Sequence, residues 1–415
     1  MKEHLILLLV LLVGANIILS VLMKAIGDRL GIPAMVGYLL LGTTMRLIDG
    51  GGQFFSAEVL EIYEFLAELG IISLLFRVGL ESNLSGLLRQ LPRASIILLG
   101  NMLFSSIIGF VTAFKLLQLG LIPSLFISIA LTATSVGISV SVWQEAKALN
   151  STNGELLLDI AEMDDIAAIV LMSLLFAIVP VMNGHIEANF LPVLGKTIAP
   201  FLLKVIIFAT FCFILFRYWE RPMTRFFERL EPPPDPMLMV AGVGIVIAAL
   251  AGLLGFSVAI GAFFAGLAFS RDPDAVNMDA SFGTLYELFV PFFFINIGLQ
   301  LEFQALTAAI DLGVVLLLVA VLGKIIGTSI PALFTTGYKS AALLSISMVP
   351  RAEIAMIVMQ RGRQLGEWAV SSQVFAAMIM VSAATCIMSP LLLRPLLQKW
   401  HQVEPEERQQ MKENR

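Results

Sequence analysis

Two adjacent carboxylates, Asp164 and Asp165, lie midway along residues 154–180, a stretch otherwise almost wholly apolar apart from Asp159 and Glu162. Asp164 lies about ten residues, or roughly 15 Å along a helix, from the start of that stretch, so the pair falls near the midplane if the stretch crosses a bilayer. Consecutive residues diverge by about 100° around a helix. One carboxylate can therefore face a buried base while the other faces water, and their proton affinities then separate. Lys324 is such a base. It sits mid-way along another apolar stretch, in Gly323-Lys324-Ile325-Ile326-Gly327, where the flanking glycines permit close approach of a neighbouring helix. The chemistry this set supports is competition: with Asp164 paired to Lys324, Asp165 binds either a proton or a small cation. Hard carboxylate and carbonyl oxygens suit Na⁺ or Li⁺. A purely structural ion pair is the alternative reading, but two adjacent acids exceed what one lysine neutralises.

Two further runs place polar groups within apolar stretches. Leu131-Thr132-Ala133-Thr134-Ser135-Val136-Gly137-Ile138-Ser139 interrupts residues 121–144, and Met348-Val349-Pro350-Arg351-Ala352-Glu353 interrupts residues 340–360. Polar, β-branched and glycine residues in the first run, and a proline that frees a backbone carbonyl in the second, make both expected breaks in helices, with Thr132, Thr134 and Ser135 as candidate ligands. Hydroxyls in membrane helices also bond their own backbone, and that alternative stays open for Thr134 and Ser135. Arg351 and Glu353 either line a cavity or cap the broken helix, with capping the favoured reading. Arg77 is another charge within an apolar stretch; a structural pair with Glu81 or Glu68 is favoured over a place beside the ion path.

The elements that must position these residues follow from composition. Of 415 residues 58% are hydrophobic and 14% charged, against about a quarter charged in an average soluble domain, so the bilayer is the main solvent. Hydropathy and punctuation predict an all-α polytopic membrane protein of about thirteen spans, at 4–24, 32–48, 59–80, 94–114, 121–144, 154–180, 197–217, 237–253, 255–270, 285–301, 308–337, 340–360 and 370–393. The first is read as a retained helix, because it exceeds a signal peptide's apolar region and lacks a cleavage signature. With the amino terminus outside, the cytoplasmic side receives Lys24, Arg29, Arg89, Arg93, Lys147, the arginines from Arg217 to Arg229, Arg271, Lys339 and the basic tail. The other side receives only Lys2, Arg46, Lys115, Lys196, Arg361 and Arg363, so a cytoplasmic carboxyl terminus is expected. Cys212 and Cys386 lie in apolar segments and His4, His185 and His401 are scattered, so neither a disulfide framework nor a transition-metal site is indicated. The net charge of −5 argues against nucleic acid as a partner. Gly242-Val243-Gly244 lies inside a span without a third glycine, and no cofactor is implied.

An internal repeat organises the spans. Gly31, Gly37 and Gly42 recur with the same spacing as Gly255, Gly261 and Gly266; Glu68 followed by Gly79-Leu80-Glu81 recurs as Glu287 followed by Gly298-Leu299-Gln300. The matched spans are seven apart, an odd number, so the copies cross the membrane in opposite directions. The two interrupted spans, fifth and twelfth, are also seven apart. Inverted repeats with broken helices point to a transporter whose site lies near the midplane.

The combination of Gly31-Ile32-Pro33 with Gly37-Tyr38-Leu39, Glu68-Leu69-Gly70 through Gly79-Leu80-Glu81, Thr132-Ala133-Thr134-Ser135, Asp164-Asp165, Pro291-Phe292-Phe293-Phe294 and Pro350-Arg351-Ala352-Glu353 resembles the bacterial monovalent cation:proton antiporters of the NapA and Kef type. The resemblance covers residues 1–400. It implies the NhaA/NapA-like fold in a bacterial inner membrane, with lipids around it, and a homodimer. Scaffold helices would be residues 1–93 and 237–304, and a mobile ion-binding core 94–182 and 305–395. A linker helix and cytoplasmic loop would occupy 183–236, and a short tail 396–415. It further implies elevator-type alternating access, and that paired aspartates with a lysine mark electrogenic exchange of Na⁺ (or Li⁺) for protons. The K⁺-linked Kef branch usually has a neutral residue in place of the first aspartate and a nucleotide-binding domain after the membrane part, for which the tail is too short. Arg77 departs from the family pattern. The rival functions are a Kef-type K⁺/H⁺ antiporter without a regulatory domain, a Na⁺-coupled organic-anion symporter, a cation sensor that does not transport, and an intramembrane aspartyl protease. The last is disfavoured because its two acids come from different helices. No other enzymatic activity is indicated.

Overall fold

The computed structural model describes residues 2–49, 55–81, 84–149, 151–184, parts of 200–218, 236–254, 256–269, 275–301 and 303–400. These residues are all-helical and contain no strand. In chain order the helices are α1 (Lys2–Leu30), α2 (Ala34–Asp49), α3 (Ala57–Glu81), α4 (Leu84–Val111), α5 (Leu121–Thr132), α6 (Val136–Glu145) and α7 (Thr152–Gly184). They continue as α8 (Pro236–Leu253), α9 (Val258–Phe269), α10 (Ala275–Leu299), α11 (Phe303–Ala308), α12 (Ile310–Thr336), α13 (Tyr338–Ser347), α14 (Glu353–Leu365) and α15 (Ser372–Lys399). A further apolar helical stretch lies at Leu203–Cys212. Most of the expected linker at 183–236, and the tail from His401, fall outside the described residues.

Among the described residues six helices are long and apolar enough to cross a membrane, counting α5 and α6 as one interrupted span. α3 is equally long but carries too many charges for that criterion, with Glu58, Glu61, Glu64, Glu68 and Arg77, and α7 gathers Glu155, Asp159, Glu162, Asp164 and Asp165 in its first half. Several helices outrun the predicted spans. α1 continues to Leu30 and α4 begins at Leu84 rather than near residue 94. Hydropathy marks the apolar part of a helix, whereas backbone hydrogen bonding carries the helix on into its polar ends.

The chain forms two compact units. The first comprises residues 1–20, 44–83 and 169–298. In it α3 packs against α9 at backbone contact: a β-carbon on Gly79 would stand 2.2 Å from the Phe263 carbonyl, and one on Gly266 2.0 Å from the Phe76 carbonyl. Only glycine at both positions permits that approach. Phe76 then fills the adjoining space against the Phe269 and Phe282 rings, at centroid distances of 6.3 and 5.2 Å.

The second unit comprises residues 21–43, 84–168 and 299–415. Its apolar core gathers Trp143, Leu157, Ile160, Leu343, Leu344, Met348 and Leu393 from α6, α7, α13, the residue after α13, and α15. Here too glycines bring two helices together. A β-carbon on Gly100 of α4 would lie 2.7 Å from the Gly327 carbonyl of α12, and one on Gly327 would lie 2.8 Å from the Gly100 carbonyl. The predicted spans 121–144 and 340–360 are each two half-helices, α5 with α6 and α13 with α14.

Candidate functional site

Both breaks lie in the second unit and are joined directly. α5 stops at Thr132; Ala133 (φ −64°, ψ 141°) and Ser135 (φ −96°, ψ 94°) are extended, and α6 starts at Val136. α13 stops at Ser347, and α14 starts at Glu353 after Met348-Val349-Pro350-Arg351-Ala352. The Ser135 amide donates to the Pro350 carbonyl across 2.9 Å, so each break satisfies part of the other's backbone. A second tie lies one turn away: Trp143 Nε1 donates to Ser347 Oγ (2.9 Å) and Ser139 Oγ donates to the Ser347 carbonyl (2.7 Å).

A half-helix that ends inside the protein leaves carbonyls without partners, and here cations supply them. The fully buried Lys324 donates from Nζ to the Thr132 carbonyl (2.5 Å) and to Thr134 Oγ1 (2.7 Å), capping α5. The fully buried Arg351 does the same for the second break. Its Nη1 faces the carbonyls of Met348, Val349 and Pro350 at 3.1, 2.9 and 3.2 Å, and its Nη2 faces that of Ala320 at 3.3 Å. α15 holds Arg351's own backbone: its amide donates to Thr385 Oγ1 (3.1 Å), and its carbonyl accepts from Ser382 Oγ (2.5 Å) and Cys386 Sγ (3.1 Å).

The acidic pair is divided by burial. Asp164 has no exposed surface, whereas Asp165 is partly exposed, as the 100° divergence of neighbours on α7 requires. Asp164 Oδ1 lies 3.7 Å from Lys324 Nζ, an ion pair slightly beyond hydrogen-bonding reach, and accepts a 3.1 Å hydrogen bond from Asn101 Nδ2 of α4. Its other oxygen, Oδ2, is buried and accepts no hydrogen bond from the protein. Asn101 itself has no exposed surface. It was missed in the sequence, although a lone amide in the apolar stretch 94–114, beside Gly100 and one turn from Ser105, was a detectable signal, because buried amides need partners.

The structure thus brings Asp164, Lys324, Thr132 and Thr134 together, adds Asn101, and leaves Asp165 partly exposed on the adjoining side of α7. Ser135 contributes its backbone amide, and its hydroxyl accepts or donates no hydrogen bond. Glu353 is half-buried in the first turn of α14. Arg77 belongs to the other unit, where its guanidinium lies over the Tyr286 ring, 4.6 Å from the centroid. The Glu81 side chain, proposed above as one of its partners, lies outside the described residues. Among the described residues no cluster of three or more His, Cys, Asp or Glu side chains could hold a metal ion.

Known proteins resemble the chain along most of its length. The chain is 30% identical over 379 residues to a Na⁺/H⁺ antiporter of Enterococcus hirae, covering 90% of this chain and 94% of that protein. It is 27% identical to the high-affinity Na⁺/H⁺ antiporter NhaS3 of Synechocystis, over 88% of this chain and 78% of that protein. Among solved structures, the sodium proton antiporter MjNhaP1 of Methanocaldococcus jannaschii shares the fold with a TM-score of 0.63 at 18% identity, over 95% of this chain and 97% of that chain. The transmembrane sodium/hydrogen exchanger family model matches residues 17–399, and the chain belongs to that family of cation/proton antiporters.

Proposed function

We propose that this antiporter exchanges Na⁺, with Li⁺ as a second substrate, for protons, and that Asp165 is the carboxylate for which cation and proton compete. The carrying observation is the asymmetry of the aspartate pair: Asp164 is fully buried beside Lys324 while Asp165, on the same helix, is partly exposed. A group that binds alternately a proton and a hydrated ion needs access to water, and its neighbour needs a fixed charge partner so that the pair does not simply share one proton. Lys324 in turn touches the Thr132 carbonyl and Thr134, which ties the charge of the pair to the geometry of the first break. The Na⁺/H⁺ activity named for both relatives supports Na⁺ as the first choice.

In this reading exchange is electrogenic, as the resemblance of the Asp164, Asp165 and Lys324 set to that of electrogenic exchangers implies. All of these residues fall within one compact unit, which supports alternating access by an elevator movement of that unit against a dimeric scaffold. The protein would reside in a bacterial inner membrane with its amino terminus outside and its carboxyl terminus in the cytoplasm, as the basic residues of the sequence favour. The test is proton efflux from acid-loaded proteoliposomes on addition of Na⁺, Li⁺ or K⁺, comparing wild type with Asp165→Asn. A Na⁺- or Li⁺-dependent signal that disappears in the variant is expected. A response to K⁺ alone would replace this reading with the K⁺/H⁺ one, and an undiminished signal in Asp165→Asn would remove Asp165 from the ion path.

A further inference from the structure

The hydrogen-bond donor and the ion-pair partner of Asp164 converge on the same oxygen. Asn101 Nδ2 and Lys324 Nζ approach Oδ1 at 3.1 and 3.7 Å, and Oδ2 accepts nothing from the protein. A carboxylate held by lysine alone is free to rotate and present either oxygen to the ammonium. The amide of Asn101 removes that freedom. It comes from a third helix, it is wholly buried, and it carries no charge that changes with pH.

Its position is set by a close helix contact in the second unit. Gly100 and Gly327 place the backbones of α4 and α12 in contact, and a β-carbon on Gly327 would stand 3.0 Å from the α-carbon of Asn101. One turn further along, a β-carbon on Gly323 would stand 3.2 Å from the α-carbon of Ser105. The glycines on either side of Lys324 therefore lie against Asn101 and Ser105. That packing lets an amide on α4 and an ammonium on α12 reach one carboxylate oxygen on α7.

We propose that Asn101 is a positioning residue for ion exchange: it clamps Asp164 Oδ1 so that Oδ2 faces away from the amide and the ammonium and serves as a cation ligand alongside Asp165. This rests on the proposed role of Asp165. Asn101 acts through Asp164 and fixes affinity for the cation rather than the rate of the conformational change. A hydrogen bond to a charged group is among the strongest a side chain makes, so its loss should weaken cation binding by about tenfold or more.

The test is Na⁺-dependent proton efflux from proteoliposomes containing wild type, Asn101→Ala, Asn101→Asp, Ser105→Ala and Asp165→Asn, with KM for Na⁺ and maximal rate determined separately. Asn101→Ala should raise KM about tenfold or more while the maximal rate falls less than about threefold. Asn101→Asp, which keeps the shape but replaces the donor by an acceptor, should impair exchange more than Asn101→Ala does. Ser105→Ala changes the same helix seam without touching the carboxylate, and should stay within about threefold of wild type in both constants. If both Asn101 variants keep the wild-type KM while Asp165→Asn is inactive, the clamp is refuted and Asp165 keeps its role. If Asp165→Asn still exchanges, the underlying reading fails regardless of Asn101. Should Asn101→Ala fail to fold, Asn101→Asp carries the test, and a wild-type KM in that variant overturns the proposal.

Discussion

Replacing Arg351 by methionine separates a capping role from a place on the ion path. The buried guanidinium makes four contacts of 2.9–3.3 Å, three from Nη1 and one from Nη2, all to backbone carbonyls. Three acceptors sharing one nitrogen amount to roughly two good bonds, so the side chain makes about three charge-assisted hydrogen bonds at ~1.5–3 kcal/mol each. Against that gross gain stands the desolvation of a guanidinium that forms no ion pair among the described residues, several kcal/mol by general experience. The methionine variant recovers the desolvation term but strands the carbonyls after α13, for a net loss of about 3 kcal/mol. Reversible unfolding in mixed micelles, titrated with a denaturing detergent, reads that difference directly. Because the side chain is aimed at backbone, folded Arg351→Met should bind Na⁺ within about threefold of wild type. A stability loss under ~1 kcal/mol combined with a KM raised more than about tenfold would refute the capping argument and place Arg351 beside the ion.

Other outcomes follow from the same geometry. Gly327→Ala puts a methyl group 2.8 Å from the Gly100 carbonyl, so α4 and α12 must part; ~1–3 kcal/mol of stability should be lost in the same detergent titration, together with exchange activity. Lys324→Met leaves Asp164 buried without its ion-pair partner and should cost ~3–5 kcal/mol. Adding Asp164→Asn to that variant should recover most of this stability but not exchange, which a double-mutant cycle with parallel flux assays would check. At the surface, Arg363 and Ser372 hydrogen bond to Glu367 and hold its carboxyl below the usual range. Its contribution is therefore present above the range in which the unfolded carboxyl titrates and is lost as pH falls through the lowered folded range. Because the pair is exposed, Glu367→Gln should cost less than ~0.5 kcal/mol near neutral pH, and the difference from wild type should vanish in acid.

The breaks were legible because each violates helix chemistry locally. Thr132 to Ser135 put hydroxyls where the span is otherwise apolar, and Pro350 removes a donor just before a buried charge. The glycines beside Lys324 likewise announced a close helix contact, and their partners are Gly100 and Asn101 for Gly327 and Ser105 for Gly323. What stayed hidden were partners whose meaning depends on tertiary packing. Asn101 reads as one polar residue in an apolar run until α4 is seen against α12. Arg77 reads in the sequence beside acids on its own helix, and the fold adds Tyr286, on α10, as an aromatic face 4.6 Å away. Arg351 and Glu353 looked alike as charges flanking a proline break, yet Arg351 has no exposed surface and is bound to carbonyls while Glu353 is half-buried at a helix start. Helix ends were also misplaced, since hydropathy fades where α4 is still hydrogen-bonded, ten residues before the predicted start of its span.

The central claim is that cation and proton compete for one carboxylate. Calorimetric titration of Na⁺ into the purified protein, repeated in two buffers of different ionisation enthalpy, counts the protons released per ion bound. The account predicts Na⁺ binding with proton release in wild type, and loss of both in Asp165→Asn. Unchanged Na⁺ affinity in Asp165→Asn, or Na⁺ binding to wild type with no proton released, would contradict it.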